Sequence, residues 1–210
     1  MRFLLYASIL IAWLGVPHAV AAQAAPPALQ NPRLVRLIDS LYRSDQRPFE
    51  QAGRHELSPD SAVAQSHRIY RQNYGQLQRI LRDHGYPGFA LVGAEATSHF
   101  NTMVLHCFFD VAFQQRVLQL FTQESVKAPA LLADKRYLHD LAYLTDKVKR
   151  NLGQPQVYGT QLDYNQQGPY LLPSIEPAQL DERRRQMQLE PSAVYLQKAT
   201  AVWKQMNQKK

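Results

Sequence analysis

Apolar residues recur at steps of three and four through most of this chain, and each run is bracketed by cap and stop residues, so the pattern commits it to amphipathic helices. Asn31 caps a first helix with Pro32 at its first position, and Leu34, Leu37, Ile38 and Leu41 form its stripe. Ser58 and Pro59 open a second run that carries Val63, Ile69 or Tyr70, Leu77 and Leu81, contains Gly75 and stops at Gly85. Residues 45–59 between them read as a polar, irregular connection. Ala96, Phe100, Met103 or Val104 and Cys107 place a central helix over 94–109. Asp110 is a good cap for the next, striped by Val111, Val117, Leu118 and Phe121; whether the chain breaks at Asp110 or runs through it is left open by spacing alone. Leu138, Leu141, Leu144 and Val148 mark another helix, ended by Gly153. Two more follow, one near Pro177 and one carrying Val194, Leu196, Val202 and Trp203. The period changes only at 156–162, where alternation replaces it; with a turn at "DYNQQGPY" and a return along "YLLPSI", that predicts one hairpin. The expected fold is mainly α, a single domain over 32–210 of about six to seven helices with one short β-hairpin. No internal repeat is visible.

The first residues carry a different signal. Arg2 precedes an uncharged, mostly apolar run from Phe3 to Val16, followed by Pro17 and small residues, the order of a secretory signal peptide over 1–24. The run is too short to span a bilayer as an anchor, and cleavage after Ala21 or Ala24 fits equally. Residues 25–31 then read as a linker, and the expected location is the periplasm or the exterior, with no transmembrane anchor after cleavage. A single cysteine, Cys107, allows no internal disulfide, and its setting in "MVLHCFF" reads as buried and inert. The formal net charge of +7 favours anionic surroundings, but the basic residues are dispersed without interleaved aromatics. Nucleic acid is therefore not an expected partner; a polar or anionic small molecule or an envelope component is.

No HExxH, CxxC, P-loop or GxSxG pattern occurs, so no metal or cofactor is expected and the candidate chemistry rests on scattered polar residues. His106 and Asp110 share a helix face if the helix runs through, as an imidazole oriented by a carboxylate; otherwise His106 is a core histidine and Asp110 a cap. Asp146 sits near a helix C-terminus, where the dipole disfavours a carboxylate, so an ion pair with Arg150 or a ligand contact is called for. "GQPQVYGTQ" then concentrates Gln154, Gln156, Tyr158, Thr160 and Gln161 around Gly159, a set suited to neutral hydroxyls, amides or a backbone. Of Arg183, Arg184 and Arg185, at most two can face one site.

Together these segments resemble an uncharacterised bacterial family that combines a DQ-x-R element, a His-Asp helix, a "YLTDRV" helix, a "GxPQxYGTQ" strand and a paired-Arg helix. Here they are Asp45-Gln46-Arg47, His106 with Asp110, Tyr143 to Val148, Gly153 to Gln161, and Arg183-Arg184. The likeness spans nearly all of residues 25–210 and brings no established activity. Lys147 replaces an arginine, and Phe108 stands where the family places a second acidic residue, which weakens a metal-site reading. What the resemblance implies is grouping: polar residues from five segments converging on one pocket. Three functions are compatible with that: a hydrolase or lyase with His106 as general acid or base, oriented by Asp110 or Asp146; a module in which the same residues bind a ligand or form a buried polar network; and a basic protein held on anionic lipid or polymer.

Overall fold

The computed structural model describes residues 31–207, so the expected signal peptide and all but the last residue of the linker lie outside the described residues. Seven helices fold around one core: α1 (Pro32–Gly53), α2 (Pro59–His84), α3 (Phe89–Leu105), α4 (Val111–Lys127), α5 (Lys135–Asn151), α6 (Leu180–Gln186) and α7 (Ser192–Asn207). Between α5 and α6 lies one antiparallel hairpin, β1 (Leu162–Asn165) and β2 (Gly168–Leu171), with Leu162 opposite Leu171 and Asn165 opposite Gly168. The mainly helical single domain with one hairpin is thus the fold of this chain.

The caps work as their chemistry demands. Asn31, Asp110 and Asp134 each accept the backbone N–H three residues on, from Leu34, Phe113 and Tyr137, satisfying a donor the helix start leaves free. Phe100, Val104, Leu77, Ile80, Val117, Phe121 and Leu144 fill the interior. Burying each large side chain contributes roughly 1.5–3 kcal/mol. Helix α3 is the centre: both α1 and α5 pack against it.

Three expectations need correction. Residues 45–53 are not irregular: α1 continues through Pro48 to Gly53, and buried Asp45 and Pro48 extend the stripe of Leu34 and Ile38 at helical spacing. An aspartate and a proline at core positions hide that helix from a hydropathy reading. The central helix begins earlier, with a kink at Gly93, and ends at Leu105 rather than Phe109. His106 is its C-cap and Asp110 the N-cap of α4, so the two share no helix face. The hairpin is shifted, since residues 156–161 are not its first strand but wrap a carboxylate, and Gln156 makes only a single parallel bridge to Ser174.

Candidate functional site

Two polar centres stand out, one on α5 and one between α1 and the end of α3. The first is built on Asp146, which α5 places at 0% exposure near its own C-terminus. The chain just after the helix folds back over this carboxylate. Val157 N–H donates to Oδ1 at 2.7 Å and Tyr158 N–H at 3.0 Å; Thr160 N–H and hydroxyl reach Oδ2 at 2.8 and 2.9 Å. Gly159 makes the wrap possible with φ +62°, and a Cβ there would meet the Leu180 methyls at 3.2 and 3.3 Å. The carbonyls of the same turn point outward and are taken by arginines. Arg184, 1% exposed, donates from one terminal nitrogen to Tyr158 O at 2.8 Å and Gly159 O at 3.0 Å, and through Nε to Glu190 O at 2.7 Å. Arg183 Nε reaches Val157 O at 2.7 Å, and Tyr195 hydroxyl donates to Thr160 O at 2.9 Å. Arg185 faces solvent and pairs with Glu182.

The glutamines serve the same wrap. Gln156 Oε1 accepts from Gln161 N–H at 2.6 Å while its amide donates to Gln161 O and Leu172 O at 3.0 and 3.2 Å. Gln161 Nε2 reaches Thr160 Oγ1 at 3.3 Å, and Gln154 accepts from Lys149 at 3.0 Å. The amides of Val157, Tyr158 and Thr160 are therefore turned onto Asp146, and the carbonyls of residues 157–160 onto Arg183, Arg184 and Tyr195.

The second centre lies where α1 meets the C-terminal end of α3. Asp45, fully buried on α1, holds His106 Nδ1 with both oxygens, at 3.1 and 2.9 Å. Gln46 Nε2 donates to the same carboxylate at 2.6 Å. A carboxylate accepts only, so Nδ1 carries a proton and, in the neutral ring, Nε2 carries the lone pair. His106 is buried, and its imidazole stacks on Tyr70 of α2, ring centres 4.3 Å apart. Burial and the Asp45 charge raise the Tyr70 hydroxyl pKa, so it stays protonated. Nε2 has no hydrogen-bond partner among the described residues, and it is not enclosed either, because the only sealed side-chain atom without a partner there is Ser66 Oγ. Phe108, two residues on, sits edge-to-face with His67 at 5.4 Å and under Lys147 Nζ at 5.8 Å from its centre.

The remaining candidates stand apart from both centres. Asp110 accepts from Phe113 N–H and from Tyr74 hydroxyl; the tyrosine bond and the cap bond hold its pKa below the usual carboxylate value. Arg47 is exposed. Arg150 lies 3.8 Å from Asp163, not from Asp146. Burial pushes the Cys107 thiol pKa well up and its Sγ–H donates to Met103 O at 3.4 Å, so it is no nucleophile.

Sequence reasoning missed the partner of His106 and a second pair of the same kind. Asp39 accepts from or pairs with His99 Nδ1 at 2.9 Å, and His99 stacks on Tyr42 at 3.8 Å. Beside it Asp140 accepts from Ser98 and Asn101, and burial pushes its carboxyl up to about 6. His99 and His106 recur at seven residues, about two helical turns, but their partners Asp39 and Asp45 are six apart and stand on different faces of α1, so no local period marks the two pairs. Among the described residues no three His, Cys, Asp or Glu side chains cluster as metal ligands would, and no helix is long and apolar enough to cross a membrane. Two open surface depressions, one lined by Gln78, Leu81, Arg82, Phe113 and Arg116 and one along α7, touch neither centre.

Fold and site together define a class: a small helical protein in which histidines of the central helix and its C-cap pair with aspartates of α1, and in which the chain leading into the hairpin is held by a buried carboxylate-arginine clamp. The chain belongs to the family described as a family of unknown function (DUF6624), whose sequence model matches residues 34–204. No curated protein and no solved structure matches it.

Proposed function

We propose that this is an exported acid-base enzyme, a hydrolase or lyase acting on a polar envelope-derived molecule, with His106 as the group that takes and returns the proton. The observation that carries the reading is the buried Asp45 carboxylate fixing Nδ1–H of an imidazole whose Nε2 has no partner among the described residues. With Nδ1–H held, the Nε2 lone pair is a base aimed away from Asp45. Once Nε2 is protonated, Asp45 stabilises the imidazolium without taking a proton itself, and Tyr70 keeps the ring plane fixed. Such a group contributes typically ~10²–10⁴-fold in rate. Export is supported by the Arg2-led apolar run and the small residues after it.

The clamp around Asp146 is assigned a different task, holding the chain between α5 and α6, because its hydrogen-bonding groups are already paired with one another. The test is turnover of a panel of sugar and peptide esters, amides and glycosides. His106→Gln and Asp45→Asn are expected to lose roughly 10²-fold or more on any substrate found. A substrate turned over equally well by His106→Gln sinks the assignment.

A further inference from the structure

Lys147 is a cation in the wrong place for a structural residue. It is 8% exposed on α5, one position from Asp146, yet it points away from that carboxylate and makes no ion pair or hydrogen bond among the described residues. Its ammonium lies over the face of Phe108, 5.8 Å from the ring centre. The other nearby charge is a like one, Arg150, which lies toward Asp163 and Leu162 O. A buried ammonium with no counter-charge costs stability, since attraction to a ring face replaces little of the lost hydration. The depressed ammonium pKa, about 8 by burial and then Arg150, is consistent with that cost.

Phe108 ties this cation to the acid-base centre. The ring that lies under Lys147 belongs to the turn that begins at His106, and it also touches His67, whose other aromatic neighbour is Tyr70, the ring stacked on His106. Phe108 and His67 are both exposed, so the aromatic edge joining the two groups faces solvent. We propose that Lys147 binds a carboxylate of the molecule on which His106 acts, with the Phe108 ring covering the apolar part next to that carboxylate. The inference rests on the acid-base reading for calling that molecule a substrate and adds its chemical class. A carboxylate fits better than a phosphate: one unassisted ammonium balances one negative charge, and no guanidinium fork free of a partner is shown beside it to chelate a dianion.

The probe is benzoate, an aromatic carboxylate, against benzamide and inorganic phosphate at matched ionic strength, read by thermal unfolding of the protein and its variants. Benzoate is expected to raise the unfolding temperature of the wild type and of His106→Gln alike and that of Lys147→Arg in part. In Lys147→Met the benzoate concentration needed rises at least about tenfold, as loss of one charge-assisted contact implies. Benzamide does nothing. Lys147→Met alone is expected to melt no lower than the wild type. The proposal is overturned by a benzoate shift that survives Lys147→Met, by phosphate matching or exceeding benzoate, by no benzoate shift in the wild type, or by Lys147→Met melting well below it. A Lys147-dependent benzoate shift in a protein whose turnover ignores His106 supports the carboxylate site and removes the acid-base reading alone.

Discussion

At the scale of single residues, the difference between the two centres is whether hydrogen-bonding capacity is matched. Asp146 accepts from three backbone N–H groups and a hydroxyl, with its own side chain fully buried. Removing it leaves those donors stranded, so Asp146→Ala is expected to cost roughly 3–5 kcal/mol in chemical denaturation, as when one partner of a buried charged network is deleted. A loss below about 1 kcal/mol would show that the wrap is not held by this carboxylate. Ser66 is the opposite case. Its hydroxyl is buried without a partner of good geometry among the described residues, so Ser66→Ala should be neutral or stabilising by up to ~1 kcal/mol. A clear drop in the unfolding midpoint of that variant would reveal a bond that the structure does not contain.

At the scale of elements, the clamp joins α5, the 156–161 turn and α6 into one unit. Arg184 and Asp146 grip the same turn from its carbonyl and amide sides, so their contributions are coupled. The double variant Asp146→Ala/Arg184→Ala should therefore be less destabilised than the sum of its singles, by about 1 kcal/mol or more in a double-mutant cycle. Strict additivity would mean two independent contacts. The helix stripes, the caps and the hairpin were legible because capping chemistry and apolar period are local properties. The C-terminal third of α1 was not, because Asp45 occupies a core position where an apolar residue was sought. The residue that broke the pattern is the one that orients His106. Likewise, "PQVYGTQ" was legible as polar and dense but not as inward-facing, since its main partners, Asp146, Arg183 and Arg184, come from helices on either side of it.

At the scale of the whole molecule, the domain tolerates an unpaired cation, and that has a pH signature. The Lys147 ammonium has its folded-state pKa lowered to about 8, by burial first, against the ordinary lysine value of roughly 10.4 in the unfolded chain. Between those values the unfolded state binds more protons, so this group makes stability rise with pH. Its penalty is fully present below pH 8 and fades as pH climbs towards about 10.4. Lys147→Met should accordingly melt above the wild type at pH 7, with the gap closing near pH 10; a gap that widened with pH would reverse the sign and refute the burial account.

The central claim is that His106 offers a free basic nitrogen while its other nitrogen is locked to Asp45, and the most direct measurement is its reactivity in the folded protein. Diethyl pyrocarbonate acylates unprotonated imidazole nitrogens, and mass spectrometry resolves each histidine. His106 is expected to be modified in the native state, and Asp45→Asn should change the rate without unfolding the domain. If exposed His55 and His67 react while His106 stays unmodified until the protein is denatured, Nε2 is not available and the acid-base account is wrong.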